Sequence, residues 1–302
     1  MSGIRYLLLA GAAAPALLAT SAARAEPAGP VVLGPSRADY DDGPDTWRPA
    51  RALRVGAADY LVTGAAVAVT FGAAGLPPGP AAWRGGILMD ERARSALRLR
   101  TAEGRDAALD ASDAGLALTT AWPFFADALV SAWWYRGRAD VAYHMTVVSA
   151  EAFAIATALQ GVANHVGRRE RPYGRLCGGG LPDESIDCDR GVRDRSFFSG
   201  HATVAFTGAS LLCAHHLGLG LLGPPGDVAT CVGGAVVAAS TSMLRVMSDM
   251  HYVTDIALGA VVGTAVGLAV PILHMRRATV RSAGPDVRLA PVGTGVGVVG
   301  EF

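Results

Sequence analysis

The chain has 302 residues, of which 51% are apolar, and its mean hydropathy is +0.32. This value is high for a soluble protein and low for one made mostly of lipid-facing helices. Acidic and basic residues balance at 26 each, so the composition excludes the basic field typical of nucleic-acid binding and an acidic field for a basic partner. All the cationic residues are arginines, whose planar guanidinium groups fit phosphate and carboxylate oxygens.

The first 25 residues have the pattern of an export signal. Arg5 supplies a positive charge, residues 7–19 are apolar, and Ala23-Arg24-Ala25 matches an A-x-A cleavage site. Because the apolar run is short for a membrane span, cleavage is favoured over an uncleaved anchor. We therefore expect residues 1–25 to be a signal peptide and residue 26 to emerge outside the cytoplasm.

Residues 26–50 are rich in Pro, Gly and Asp and predict an irregular N-terminal arm. A helical domain is expected over 51–277, because six alanine-rich apolar segments follow one another between Pro, Gly and Arg breakers. The segments cover 57–76, 114–135, 140–165, 201–222, 228–246 and 251–275. They predict an all-α, six-helix bundle, with a charged interfacial helix over 86–106. The tail, 278–302, is rich in Val and Gly and allows a short hairpin.

The segments leave two membrane arrangements open. Several carry ionisable residues, which in lipid would face the bundle interior; these are Asp59, Asp127, Glu151 and His215-His216. The arginines at segment ends favour a partly embedded bundle of five spans from residue 114 onward, with 57–76 peripheral. Its site would face the periplasm from the inner membrane. The alternative is a wholly soluble periplasmic bundle.

The four cysteines fall into two groups. Cys177 and Cys188 flank a polar, Gly-rich stretch, which predicts a loop disulfide in an oxidising compartment. Cys213 and Cys231 lie in apolar segments and are expected to be small core residues. With no C-x-x-C pair, the sequence predicts no metal site of the zinc-ribbon kind.

Two clusters suit the binding of an anion. Arg168-Arg169-Glu170-Arg171-Pro172 ends the third segment, and its guanidinium groups would either bind an anion or serve as a positive-inside anchor. Ser199-Gly200-His201 precedes the fourth segment. Ser199 suits a helix cap, Gly200 lets an anion approach the backbone amides, and His201 could donate a proton to it. The alternative is an ordinary cap beside an interfacial histidine.

A third cluster runs from Arg245 to Asp255. His251 and Asp255 lie four residues apart, on one face of a helix. A carboxylate there can bond one imidazole nitrogen, which fixes the tautomer and leaves the other nitrogen as a base or nucleophile. The alternative is a structural His–Asp pair.

In this order the clusters resemble the superfamily of type 2 phosphatidic acid phosphatases and vanadium haloperoxidases, whose pattern is K-x6-R-P, then P-S-G-H, then S-R-x5-H-x3-D. Arg171-Pro172, Ser199-Gly200-His201 and the set Arg245, His251 and Asp255 match it. Three positions depart from it: Asn164 for Lys, Phe198 for Pro and Leu244 for Ser. An amide at 164 can bond a phosphate oxygen but brings no charge, so Arg168 and Arg169 are candidate replacements.

The resemblance implies a phosphoric monoester hydrolase that works through a phosphohistidine. His251 would be the nucleophile, oriented by Asp255, and His201 the acid and base. The phosphate-binding set would be Arg171, Arg245, Ser199, Gly200, Asn164 and Arg168. No cofactor is implied, and vanadate should inhibit.

The favoured substrates are phosphorylated lipids, including pyrophosphates, at a membrane. The alternatives are a soluble periplasmic acid phosphatase acting on small phosphomonoesters, a vanadate-dependent haloperoxidase, and a non-catalytic membrane bundle. No nucleic-acid partner is expected.

Overall fold

A computed structural model describes residues 53–76, 79–177, 188, 193–282, 286–292 and 295–301. The expected signal peptide and N-terminal arm lie outside the described residues. The helices are α1 (Ala57–Gly75), α2 (Asp90–Leu97), α3 (Ala102–Trp122), α4 (Ala139–Gly167), α5 (Gly200–Leu219), α6 (Pro224–Met247) and α7 (Val253–Ser282). A π-helix, Pro123–Tyr135, continues α3, and a 3₁₀-helix covers Pro172–Leu176. Two antiparallel strands follow α7, β1 (Asp286–Val292) and β2 (Gly295–Glu301).

The bundle is built around α5, which packs against α3, α4, α6 and α7. Glycines let its neighbours come close. A Cβ atom at Gly208 of α5 would lie 2.1 Å from the carbonyl oxygen of Thr119, and one at Gly263 of α7 would lie 2.2 Å from that of Thr203. Small residues at helix contacts are typical of helices that associate in membranes, where close backbone packing replaces hydrophobic driving force.

Within the described residues, six helices are long and apolar enough to cross a membrane, α1 among them. Many of their large apolar side chains face outward, such as Leu61 at 75% exposure and Phe71 at 72%. The predicted helical bundle is confirmed, and its outer surface is consistent with a membrane-embedded protein.

The first segment does not lie apart from the bundle, as the five-span arrangement expected. Helix α1 runs parallel to α4 along its length: Tyr60 contacts Tyr143, and the hydroxyl of Thr70 lies 3.2 Å from that of Thr157. The physical reason is a face of small residues on both helices, which permits close packing along their length.

The expected interfacial helix over 86–106 is two elements, because α2 ends at Leu97 and α3 begins at Ala102, capped by Thr101. Helix α3 then changes to the π-helix at Pro123, which cannot donate an α-helical hydrogen bond. The wider winding continues past Asp127, whose carboxylate is 1% exposed and faces the bundle interior.

The two ends of the bundle carry different parts of the sequence. At one end lie the end of α4, the start of α5 and the turn between α6 and α7, which together hold the three motif clusters. At the other end, the carbonyl of Arg54 bonds His274 of α7, and Arg136 bonds the carbonyl of Leu221. The start of α1 and the end of α7 therefore share the end opposite the motifs.

Two disulfide bonds are present among the described cysteines. Cys177 is joined to Cys188, the pair expected from the sequence. Cys213 is joined to Cys231, so the expectation of two unpaired core cysteines is wrong. These two residues occupy facing positions on the antiparallel helices α5 and α6, with Cα atoms 4.4 Å apart, a relation that sequence spacing does not reveal.

Candidate active site

The three clusters meet at one cavity of about 380 Å³. Six of the predicted site residues line it: Asn164, Arg171, Gly200, His201, Arg245 and His251. They come from the end of α4, the segment after it, the start of α5, the end of α6 and the turn before α7. Folding thus brings both histidines and both pattern arginines to a single space.

His251 lies in the turn between α6 and α7, and only 3% of it is exposed. Its Nδ1 atom is 2.9 Å from the backbone carbonyl oxygen of Ser196. Because a carbonyl only accepts, Nδ1 carries the proton, and Nε2 offers its lone pair. Burial, with the nearby charges of Arg171 and Arg245, lowers the pKa of His251 to about 3. The ring is therefore neutral and oriented at physiological pH, as a nucleophilic histidine would have to be.

Asp255 does not make the direct hydrogen bond to His251 that the sequence suggested, because its Oδ2 atom lies 3.9 Å from Nδ1. That oxygen instead accepts from the hydroxyl of Ser196 at 2.6 Å and from the amide of Tyr252 at 3.0 Å. Asp255 therefore holds Ser196, whose carbonyl in turn orients His251. The i,i+4 spacing correctly places the two residues near each other, but Ser196 links them, because it bonds Asp255 through its hydroxyl and His251 through its carbonyl.

The expectation that Arg169 supplies charge to the cavity is wrong. Its side chain is fully buried and does not line the cavity. It forms ion pairs with Asp90 at 2.8 Å and Asp255 at 2.6 Å. Its guanidinium also lies between the rings of Trp83 and Tyr252, at 4.2 and 4.1 Å from their centroids. Arg169 thus secures Asp255 and the turn before α7 through charge-assisted and cation–π contacts.

Arg168 also departs from its expected role. It caps α4 in the left-handed region, with φ of 40°, and this backbone turns its side chain toward Gly79. It lines a neighbouring pocket of about 310 Å³ together with Asp194, and it is absent from the lining of the catalytic cavity.

His201 has a partner that the sequence did not indicate. Its Nε2 atom lies 2.7 Å from a carboxylate oxygen of Asp113, on α3, and Arg245 is 3.3 Å from the same oxygen. The carboxylate can accept a hydrogen bond from Nε2 and so fix the orientation of the imidazole beside the cavity. Asp113 lies in no motif, and only the packing of α3 against α5 brings it to the site.

Of the two residues of the second cluster that were expected to bind phosphate, Gly200 lines the cavity and Ser199 does not. Ser199 is fully buried, its hydroxyl accepts from the amide of Ala202 at 3.4 Å, and its own amide donates to the carbonyl of Asp255 at 3.2 Å. Ser199 therefore caps α5 and does not line the cavity, contrary to its expected contact with phosphate. Gly200 lines it at the positive end of the α5 dipole.

Arg171, Arg245 and Asn164 each present an unsatisfied polar atom. The Nε atoms of both arginines are buried without a hydrogen-bond partner, as is the Oδ1 atom of Asn164. Burial also lowers the pKa of Arg171, which lies outside the long helices. Since buried polar groups are nearly always paired, these atoms indicate where a charged, oxygen-rich ligand belongs.

Residues 145–278 match the family model of the PAP2 superfamily. This segment is similar to the PAP2 superfamily. It holds all three clusters and every helix that lines the cavity except α1, and the match confirms the resemblance seen in the sequence. No curated protein matches the chain significantly. The superfamily is one of phosphatases, which supports a phosphoric monoester hydrolase in general terms.

Proposed function

We propose that the PAP2 domain hydrolyses phosphomonoesters of lipids through a phosphohistidine formed on His251. The observation that carries the proposal is the convergence of a neutral imidazole, a second imidazole paired with a carboxylate, and buried guanidinium groups at one cavity. This set contains a nucleophile, an acid and an anion clamp, which phosphoryl transfer requires.

The first half of the reaction transfers the phosphoryl group to the enzyme. Nε2 of His251 attacks phosphorus, and a N–P bond forms as the ester P–O bond breaks. The leaving alkoxide takes the proton from His201. Arg171 and Arg245 offset the charge on the equatorial oxygens, where the transition state is most negative.

The second half regenerates the enzyme. His201, now neutral, takes a proton from a water molecule, whose oxygen attacks phosphorus. The N–P bond breaks, inorganic phosphate leaves, and His251 recovers its lone pair. The cycle thus begins with His201 protonated and hydrogen-bonded to Asp113, and with His251 neutral, as its burial favours. Vanadate should inhibit, because its five-coordinate form imitates the transition state.

The wall of the cavity favours a lipid substrate over a small phosphomonoester. Thr70 and Ala73 of α1 and Thr157 and Gly161 of α4 continue the cavity away from the charged end, along two helices that can span a membrane. If the arginines bind the phosphoryl group of an ester, its organic group would therefore lie between α1 and α4, within the membrane-spanning part of the bundle.

We propose a cavity that opens outside the cytoplasm, and arginines flank the spans at both ends of the bundle. Arg136, Arg138 and Arg276 lie at the opposite end of the bundle, and arginines next to spans favour the cytoplasmic side. If α1 also crosses, the residues before it lie on the cytoplasmic side. Cleavage of a signal peptide after Ala25 would instead put these residues outside. A cleaved signal peptide is therefore incompatible with a six-span bundle whose cavity opens outside.

The test of the proposal is detection of the covalent intermediate. Purified protein in detergent is mixed with phosphatidic acid, quenched in alkali and digested, and the peptide containing His251 is examined for phosphohistidine by mass spectrometry. We expect phosphohistidine in the wild-type chain and none in His251→Ala, with phosphate release only in the former. Phosphate release without a modified histidine would refute the mechanism.

A further inference from the structure

We propose that Arg195 is a third phosphate-binding guanidinium of this cavity and supplies the charge that the superfamily pattern places on a lysine at position 164. This inference rests on the proposed function, since it concerns the same phosphoryl group. It assigns a role to a residue outside all three motifs, and it replaces Arg168 and Arg169, the candidates from the sequence.

Arg195 lies in the segment that leads into α5 and lines the catalytic cavity with Arg171, Arg245 and both histidines. One edge of its guanidinium is anchored, because Nη2 donates to the carbonyl of Leu76 at 3.1 Å. This carbonyl lies just past the end of α1, where the helix dipole is negative and α1 has no basic residue of its own.

The guanidinium of Arg195 keeps one donor unsatisfied. Its Nε atom is buried and has no hydrogen-bond partner. Among the residues that the structure describes, the buried guanidinium nitrogens in this condition belong to three side chains, Arg171, Arg195 and Arg245, and all three line the same cavity. Such donors normally find a partner, and a phosphoryl group offers the acceptors that three guanidinium groups need.

Other arginines near the site are already neutralised by protein carboxylates. Arg94 and Arg98 bind Asp249, and Arg193 binds Glu170. Arg195 has no carboxylate contact among the described residues, and its charge acts on Arg171, whose pKa it helps to lower. A bound dianion would relieve the repulsion between these cations, so their arrangement favours phosphate binding.

Position 164 shows why a replacement is needed and why Arg195 can serve. Asn164 lines the catalytic cavity, and its amide donates to the carbonyl of Gln160 at 3.2 Å. Asn164 and Arg195 both also line the neighbouring pocket of Arg168. They therefore both lie on the wall shared by the two spaces, where the charge of Arg195 can replace the one that position 164 lacks.

A double-mutant cycle tests the inference. Arg195→Gln, Asn164→Lys and the double variant are prepared as full-length protein in detergent, and binding of inorganic phosphate is measured by calorimetry. Arg195→Gln should weaken binding about 10- to 100-fold, the range for a hydrogen bond to a charged group. In the double variant, Asn164→Lys should raise the phosphate affinity at least about tenfold above that of Arg195→Gln. In the otherwise wild-type chain, the same change should alter the affinity less than about threefold.

Two further variants serve as controls. Arg195→Lys keeps the charge and should retain most of the affinity, and Arg168→Gln, the matched change in the neighbouring pocket, should alter it less than about twofold. Unchanged affinity in Arg195→Gln overturns the assignment. An equal loss of phosphate affinity in Arg168→Gln also overturns it. So does a gain in affinity of about tenfold or more from Asn164→Lys alone, a measurement that does not depend on whether an Arg195 variant folds.

The two proposals fail in distinguishable ways. Phosphate binding does not require turnover, so it reports on Arg195 even if no ester is hydrolysed. Loss of phosphohistidine formation with an intact effect of Arg195 on phosphate binding would reject the mechanism alone. Phosphohistidine formation with no effect of Arg195 would reject the role of Arg195 alone.

Discussion

Both ends of the bundle bury histidines beside carboxylates, but they differ in what those groups bond. At the end away from the cavity, His216 lies between Asp127 at 3.2 Å and Asp227 at 2.8 Å. His274 lies between the carbonyl of Arg54 at 2.5 Å and Glu151 at 2.9 Å. At the cavity end, the guanidinium groups of Arg171, Arg195 and Arg245 keep buried Nε atoms without protein partners.

The difference separates structural ionisable groups from functional ones. Both nitrogens of His216 face carboxylates, which only accept, so the ring donates twice and has no lone pair for chemistry. It ties α5 to α6 and to the π-helix. His251 donates once, to a carbonyl, and keeps a lone pair beside guanidinium groups whose Nε atoms have no partner. Burial is common to both ends; unsatisfied donors beside a cavity are the sign of a substrate site.

The largest expected effect is that of His251→Ala, which should abolish turnover because it removes the nucleophile. His144→Ala, which changes a partly exposed histidine near the start of α4, is the matched control and should leave turnover unchanged. The measurement is phosphate release from p-nitrophenyl phosphate by protein of equal thermal stability. Full activity in His251→Ala would show that the two ends do not differ in function.

His201→Ala should lower kcat about 10²- to 10⁴-fold, the usual range for a general acid–base group. The loss should be smaller with p-nitrophenyl phosphate than with an alkyl phosphate, because nitrophenolate leaves without a proton. Equal losses for both leaving groups would argue against protonation by His201.

At the other end, Asp127→Ala should destabilise the protein by about 3–5 kcal/mol, the cost of removing one partner from a buried ion pair. The change leaves two buried histidines without their shared acceptor. Denaturant unfolding in detergent measures the stability, while KM of the folded fraction should stay within about twofold. A large change in KM at unaltered stability would mean that this end takes part in the site.

The acid limb of kcat/KM tests the pKa of the nucleophile. Because His251 acts as the neutral base and its pKa is lowered to about 3, activity that depends on it should persist through pH 5 and fall only as the pH approaches that value. A ring with an ordinary pKa would lose activity near 6.5. An acid limb near 6.5 that is unchanged when His201 or Asp113 is altered would contradict the lowered value.

The smallest expected effect on activity belongs to a test of topology. Cysteine introduced at Arg54, before α1, and at Arg92, in α2, marks the two ends. In intact cells a membrane-impermeant maleimide should label Arg92→Cys and spare Arg54→Cys, because α1, a helix that can cross the membrane, separates the two positions. Labelling of both would indicate that α1 does not cross or that the bundle is soluble.

The sequence by itself determined the helices and the chemical identity of the site. Alanine-rich periodicity, Pro and Gly breakers and caps such as Ser199 act over a few residues, so they can be read along the chain. The motif spacings selected His201, His251, Arg171 and Arg245, and all four line one cavity.

Only the tertiary structure decided which charges face the substrate. Arg168, Arg169 and Arg195 look alike in sequence, yet one lies in a neighbouring pocket, one is locked between Asp90 and Asp255, and one lines the cavity. Asp113 joined the site, and Ser196 came between Asp255 and His251, through contacts across many residues. The partner of a charged side chain depends on which helices pack together, and local patterns carry no information about that.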